Sequence, residues 1–522
     1  MRDGLLGISS LMKSELAFPR KGPRWRLLLI MQLVVVVAWF VLKSIPHYVE
    51  QGWGGALDLL LLVAAIGMAL SWLIFFSRLR WKQRVIGIVL MLLPAALVRI
   101  DGHTGSFFPQ LSWRWSNQSA TQMPEIYVRM AQEGELIKTT GPGSFPRFLG
   151  RNMDNWVTGE LLPSGWEGKV PEQLWRIEMG EGWSAFAVAG NFAYTMDQRG
   201  SIETTICYEL LTGYAVWTHS EDVRFEESMG GDGPRSTPTV ADSKVYSLGA
   251  TGILTCLDAR TGALGWSKNV LEETNQSVPK WAKSCSPLIV DGMVIVTLGS
   301  KAEKSLGAFS ALTGELIWRS GDYPSSYASP VVATLAGKRQ IVALQQKALA
   351  GFEIETGKEL WSFPIGNPQS NCASPLIVGD TLITSSGYGY GTHRIQIKKD
   401  ETGFKATELW HSLKLKAKFA DMIVRDGFLY GLNDGRMICL DLENGKSVWR
   451  GGNYGHGQIL GVGEHIIVQG EQGGISILEL SPKEEKVVLE FDALDHRTWN
   501  HPVLAGRILL VRNDREAVAF KY

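Results

Sequence analysis

The chain has 522 residues, 52 basic against 52 acidic side chains, and a mean hydropathy of +0.01. So even a charge balance gives no general electrostatic case for nucleic acid. The five cysteines, none adjacent to another, form no disulfide framework or zinc spacing, and no Walker loop or nucleophile-elbow phrase occurs.

Three apolar runs come first, Leu27–Leu42, Ala56–Phe76 and Val85–Val98. The first two extend through their flanks to about the 20 residues needed to cross a bilayer. The third is shorter, contains Pro94 and ends at Arg99. A cleaved signal peptide is not expected, because no small-residue cleavage site precedes two further apolar runs. Arg2, Lys13, Arg20, Lys21, Arg24 and Arg26 precede the first run, and Arg78, Arg80, Lys82 and Arg84 fill the loop between the second and third. The intervening loop, Pro46–Gly55, has no Lys or Arg. By the positive-inside rule the basic segments are cytoplasmic. Three spans then put the rest of the chain outside, whereas two would leave it in the cytoplasm. The expectation is that residues 1–100 are a three-helix anchor in the bacterial inner membrane, with the lipid bilayer as one partner and the remainder in the periplasm or outside.

Residues 101–172 read as a membrane-proximal linker. Phe107, Phe108, Trp113 and Trp115 form either an interfacial aromatic belt or a small core cluster. A weak helical pattern covers Pro124–Leu136. From Gly141 glycine and proline become frequent, leading into Phe145–Gly150, a segment expected to pack on the domain that follows.

From Trp175 the chain repeats. Trp175, Trp217, Trp266, Trp318, Trp361, Trp410 and Trp449 recur every 39 to 52 residues, and five of them end a phrase of a polar turn, Gly, three residues and Trp. The copies begin at Thr212-Gly213, Thr261-Gly262, Thr313-Gly314, Thr356-Gly357 and Asn444-Gly445; Thr402-Gly403 to Trp410 is longer. A second phrase runs into β-branched residues: Ser236-Thr237-Pro238, Ser286-Pro287, Ser329-Pro330 and Ser374-Pro375, with weaker copies at Ser184-Ala185, Asp421-Met422, Gln458-Ile459 and His501-Pro502. Between them lie short Val/Ile/Leu runs broken by Asp-Gly, Gly-Asp and Ala-Gly, the pattern of antiparallel hairpins. Four strands fit each unit, which is a β-propeller blade. After His501 there is room for only three strands, while Leu174–Ile177 is a Trp strand with no unit. The expected fold is therefore an all-β, eight-bladed propeller over residues 173–522, closed by the N-terminal Trp strand and preceded by the helical anchor, with seven blades as the fallback. Cys207, Cys256 and Cys439 each stand ten residues before a repeat Trp, where Ala308 and Gly351 stand in other units, so a small apolar slot is expected there.

The phrase Asp258-Ala259-Arg260-Thr261-Gly262 to Trp266, with its four further tight copies, resembles the tryptophan-docking motif of the pyrroloquinoline-quinone (PQQ) repeat propellers. The resemblance covers about 350 of the 522 residues. It implies that each Trp packs between neighbouring blades. It also points two ways for function. The chain is similar to the propeller lipoprotein of the outer-membrane protein assembly machinery, a non-enzymatic scaffold, and more distantly to quinoprotein alcohol dehydrogenases, which hold PQQ and calcium in the channel. Those dehydrogenases place adjacent cysteines over the cofactor, and no Cys-Cys occurs here; nor does the chain carry a lipidation cysteine at its N-terminus.

The residues just before the inner strands should crowd one mouth of the central channel. They are Trp183, Arg235, Lys283, Tyr327, Asn371, Lys418, His456, Asn500 and His501, with Gln458 beside them. Converging polar and aromatic groups make this the candidate binding site; the alternative is that they cap and hydrate a solvent channel. The glycine-framed loops Gly230–Arg235 and Gly452–Gln458 suit an anion or sugar-like ligand, and equally suit tight turns. No catalytic or metal-ligating residue is assigned. The expectation is a binding or scaffold module for a protein or polar ligand; a PQQ-dependent dehydrogenase is the alternative.

Overall fold

The structure is a computed structural model that describes residues 23–44, 54–106, 108–116, 118–127, 137, 139, 143–157, 159, 162, 168–299, 304–366 and 370–522. The expectations for Phe107, for the helical pattern beyond 127, for the basic residues before 23 and for most of the loop between the first two apolar runs lie outside the described residues. The chain divides into two compact units. One comprises residues 1–49, 53–101 and 111–114, and the other comprises 50–52, 102–110 and 115–522.

Among the described residues the first unit has three helices, α1 (Trp25–Lys43), α2 (Gly54–Ser71, continued by a π-helical turn Trp72–Phe76) and α3 (Trp81–Leu97). Trp25–Lys43 and Leu57–Phe76 are long and apolar enough to cross a membrane by length and composition. The third has 17 residues with Pro94 inside it.

Among the described residues, the second unit has eight blades of four antiparallel strands each, and blade 7 carries a fifth, parallel strand, Trp156–Val157. Seven are contiguous in sequence, running from Ala187–Glu221 (blade 1) through Thr239–Asn269, Leu288–Ser320, Val331–Pro364, Leu376–Ser412 and Ile423–Asn453 to Gln458–Asp492 (blade 7). In the eighth, Val503–Ala505, Ile508–Arg512 and Glu516–Lys521 are joined by Glu172–Glu178, which pairs antiparallel with the last strand and sets Trp175 opposite Ala519.

The core lies between the blades, as the strand alternation requires. In blade 3, Val294 and Val296 pack with Tyr246, Leu254 and Trp266 of blade 2, while their neighbours Met293 and Ile295 pack with Ile341, Ala350 and Phe352 of blade 4. Each such side chain contributes about 1.5–3 kcal/mol by leaving water, so every blade depends on both neighbours.

The Trp-Gly phrase is the tie between blades. In each of the five tight copies the Gly N–H donates to the carbonyl four residues back at 2.8–2.9 Å, with φ between +68° and +74°. That left-handed turn suits glycine, and the absence of a Cβ lets it lie on a tryptophan ring of the preceding blade: Gly262 on Trp217, Gly314 on Trp266, Gly357 on Trp318. The indole N–H then reaches a carbonyl beside that turn, Trp217 to Ala259 at 3.1 Å and Trp318 to Ile354 at 3.0 Å. Blade 5 is different. Its outer hairpin is lengthened to two ten-residue strands, so no tight turn meets Trp361, whose N–H goes instead to the Gln340 side chain at 2.6 Å. The small-residue slot is the position paired with Trp217, Trp266, Trp318, Trp361 and Trp449, namely Cys207, Cys256, Ala308, Gly351 and Cys439, whereas Trp410 of blade 5 is paired with Arg394.

Candidate functional site

Each inner strand begins with a hydroxyl residue followed by proline in four blades, and the structure gives the reason. The Ala185 N–H donates to Thr237 Oγ1 at 3.1 Å, Thr237 N–H to Ser286 Oγ at 3.0 Å, Ser286 N–H to Ser329 Oγ at 2.9 Å, and Ser329 N–H to Ser374 Oγ at 3.4 Å. The relay ends when the Ser374 N–H donates to Asp421 Oδ1 at 2.6 Å. Six blades are thus tied around the channel by one hydrogen bond each to the next. The proline that follows carries no N–H, so it leaves no orphan donor facing the channel.

Inside this belt is a cavity of about 180 Å³ with Trp183, Trp281, Tyr327, Tyr388, Phe419 and Trp499 among its walls. Three of the rings form a continuous arc: Trp183 and Trp499 have centroids 5.0 Å apart, and Trp499 and Phe419 5.1 Å. Arg497 lies over both Trp183 and Trp499, at 4.7 and 4.4 Å. Polar side chains share the lining with these rings. Asp421 is buried, and burial pushes its carboxyl up to about 7 against the hydrogen bonds from Ser374. Burial also drives the Cys372 thiol up to about 12, so it stays protonated. Gln458 donates its amide to Phe419 O and Trp499 O, leaving Oε1 buried without a hydrogen-bond partner.

The chain itself packs into the channel with two segments. At the end preceding the inner strands, Thr104 and Gly105 line the cavity. Lys418 Nζ and the Glu471 carboxylate hold the two backbone groups of Gly105, Arg497 donates to His103 O, and Ser106 Oγ lies 3.0 Å from His456 Nε2. Inner strands run along a propeller's axis, so the opposite end is reached by residues 145–157. Phe145 exchanges two backbone bonds with Val188, Pro146 O accepts from Val240 N–H, and Trp156–Val157 add a parallel strand to Gly461–Val462. Phe148 lines the cavity from this segment.

The residues expected at the mouth separate into three groups. Trp183, Arg235, Tyr327 and His501, with Gln458, line the cavity. Lys418 and His456 hold the Thr104–Ser106 segment. Burial pushes the Lys418 ammonium down to about 8, and burial beside that charge pushes the His456 imidazole well below its usual range. Lys283, Asn371 and Asn500 are buried in the walls: Lys283 donates to Thr297 Oγ1 and Leu298 O, Asn371 to Gln345 O and Gln346 O, and Asn500 to Gly182 O and Ser184 O. The Arg235 guanidinium secures its own loop, donating to Gly231 O and Gly233 O.

The model of a family described as outer membrane protein assembly factor BamB matches residues 172–451. The chain belongs to this family. A curated BamB of Bordetella pertussis is 22% identical over 294 residues, covering 54% of this chain and 69% of that protein. Among solved structures, BamB of Moraxella catarrhalis aligns with a TM-score of 0.50 at 17% identity, over 68% of this chain and 98% of that one. Quinohemoprotein alcohol dehydrogenase of Comamonas testosteroni aligns with a TM-score of 0.53 at 12% identity, over 73% and 80%. These likenesses are to the propeller fold.

The quinohemoprotein alcohol dehydrogenase has the same fold, and a calcium-held quinone in the channel would need a set of oxygen ligands there. The donor set does not fit. Calcium takes six to eight oxygen ligands, yet among the described residues no group of three or more His, Cys, Asp or Glu is placed to hold a metal ion. Asp421, the one carboxylate among the lining residues, accepts from the Ser374 backbone. Trp281, Tyr388, Phe419, Asp421 and Trp499 line the cavity and are not among the mouth residues expected from sequence, where Asp421 figures only as part of a start phrase. Three of the five lie within two residues of an expected position, so the usable signal was an aromatic or acidic residue flanking each start phrase.

Proposed function

We propose that this chain is a membrane-anchored, extracytoplasmic propeller of the bacterial envelope that binds or scaffolds a protein partner and does not turn over a substrate. Its α1–α3 helices would hold it in the inner membrane, with Arg78, Arg80, Lys82 and Arg84 on the cytoplasmic side. Membership of the BamB family supports the protein-binding role. The observation that carries the reading is the state of the channel: the chain's own backbone is held at its mouth and along its inner strands, and among the described residues no metal-ligand set lines the walls. The dehydrogenase alternative needs an open, ligand-lined channel. The test uses the full chain in detergent, incubated with PQQ and calcium. No quinone absorbance should remain after desalting, and dye-linked alcohol oxidation should be absent. Stoichiometric quinone retention with turnover would overturn the reading. A reporter fused after Tyr522 should be active only outside the cytoplasm, and cytoplasmic activity would remove the third span and the extracytoplasmic assignment together.

A further inference from the structure

The segment His103–Ser106 is held as a bound peptide would be. Four side chains address it. Arg497 donates to the carbonyl of His103, Lys418 to the carbonyl of Gly105, Glu471 accepts from the Gly105 N–H, and His456 meets the Ser106 hydroxyl at 3.0 Å. The first three contacts read backbone atoms, so they do not depend on the side chains presented. Selectivity comes from packing: a Cβ at residue 105 would fall inside van der Waals contact of the His456 ring, which admits only glycine there.

The receptor side is built as one unit. Glu471 also accepts from the His456 backbone N–H at 3.0 Å and the Trp499 indole N–H at 2.9 Å, and Lys418 lies over the Tyr388 and Phe419 rings at 4.6 and 5.4 Å. Lys418 and Glu471 are buried, and buried charges are tolerated where opposite charges and dipoles surround them. The Gly105 amide and carbonyl supply one such dipole to each. Beneath the segment the aromatic cavity is left open, since Thr104 is small and about 180 Å³ remains inside the walls.

We infer that the channel mouth is a peptide-backbone site, occupied in cis by His103–Ser106, that takes in trans an extended segment of a partner protein with glycine next to a large aromatic residue. The cis segment satisfies the backbone positions and leaves the aromatic walls unmet. A partner bearing Trp or Phe in the place of Thr104 would bury its ring against Trp183, Phe419 and Trp499 and so outcompete the resident segment. The inference rests on the protein-binding reading above and specifies its site.

The probes are two capped, fluorescein-labelled tetrapeptides, His-Trp-Gly-Ser and His-Trp-Ala-Ser, titrated by anisotropy against the full chain in detergent. Gly105→Ala should expel the cis segment, so the glycine peptide should bind this variant at least about tenfold more tightly than the parent, because the fraction of open sites rises. Ser106→Ala, which loses only the His456 contact, should give a smaller gain in the same direction and serves if Gly105→Ala does not fold. Glu471→Gln added to either variant should abolish the gain, and the alanine peptide should bind none of them. Equal binding of the two peptides, or no gain in either folded variant, overturns the site. Cross-linking of the parent chain to envelope proteins in cells is read in parallel. Partner capture that survives while the peptide fails leaves the scaffold reading intact and refutes only the site.

Discussion

Ser329→Ala tests the hydroxyl relay at its middle. Ser329 Oγ accepts the Ser286 N–H at 2.9 Å, and both residues are buried at the channel wall. Removing the hydroxyl leaves a buried backbone donor without its acceptor, which costs about 1–3 kcal/mol, more than the roughly 1 kcal/mol net value of an ordinary hydrogen bond. Ser329→Thr keeps the acceptor, and blade 2 already uses a threonine, Thr237, at this place. It should therefore cost well under half as much. Ser286→Ala acts on a different donor, the Thr237 N–H. If the relay is cooperative the double variant departs from additivity. Urea unfolding followed by tryptophan fluorescence supplies the free energies. A Ser329→Ala variant as stable as its parent, or a threonine variant as damaged as the alanine one, would refute the relay as a stabilising element.

Trp318→Ala should destabilise by about 3–5 kcal/mol, as for a large aromatic lost from a core, and by similar amounts whether or not peptide is present; an unchanged melting temperature would exclude docking as its role. Asp421→Asn should change the pH dependence of stability. The folded carboxyl holds its proton up to about 7 while the unfolded one releases it near 4, so between those values the folded state binds more protons and the parent loses stability as pH rises, by up to about 4 kcal/mol. The variant's stability relative to the parent should therefore rise from pH 4 to 7 in denaturation curves, and a flat difference would place Asp421 in a solvated setting. Deleting residues 172–178 should expose the edge of Glu516–Lys521 and lower the melting temperature or cause aggregation; a deletion that behaves like its parent would mean that the ring does not depend on this strand.

The eight-bladed propeller was legible because its rules are local and repeated. A left-handed glycine turn, a tryptophan four residues after it and a small residue ten before that tryptophan each leave a mark at fixed spacing, and in blades 1–4 and 6 the structure lays each glycine turn on the tryptophan of the preceding blade. The departures are equally local. Blade 7 has Leu489 where others have Trp, and blade 5 has a lengthened hairpin, which is why Thr402-Gly403 stood three residues too far from Trp410. Residues 102–110 and 145–157 gave no such mark. Apart from Phe145–Gly150, which was expected to pack on the ring and does so through Phe145 and Pro146, they read as linker because their contacts are long-range: Gly105 meets Glu471, and Asn155 meets His501, across more than 340 positions.

The site followed the same division. Counting strands supplied a ring of positions ahead of the inner strands, since a start phrase has to enter an inner strand, and five of the residues named there line the cavity. It could not decide which way each side chain turns. Lys283 and Lys418 occupy comparable places before their strands, yet Lys283 is turned onto a carbonyl and hydroxyl of its own blade while Lys418 is turned onto Gly105. The difference is supplied by a segment more than 300 residues away, and a buried ammonium takes whatever oxygen is nearest. Periodicity can therefore find the ring of candidates in a propeller, but what fills the channel decides which of them face a ligand. Here the filling comes from the chain itself, and the residues that hold it carry the functional question.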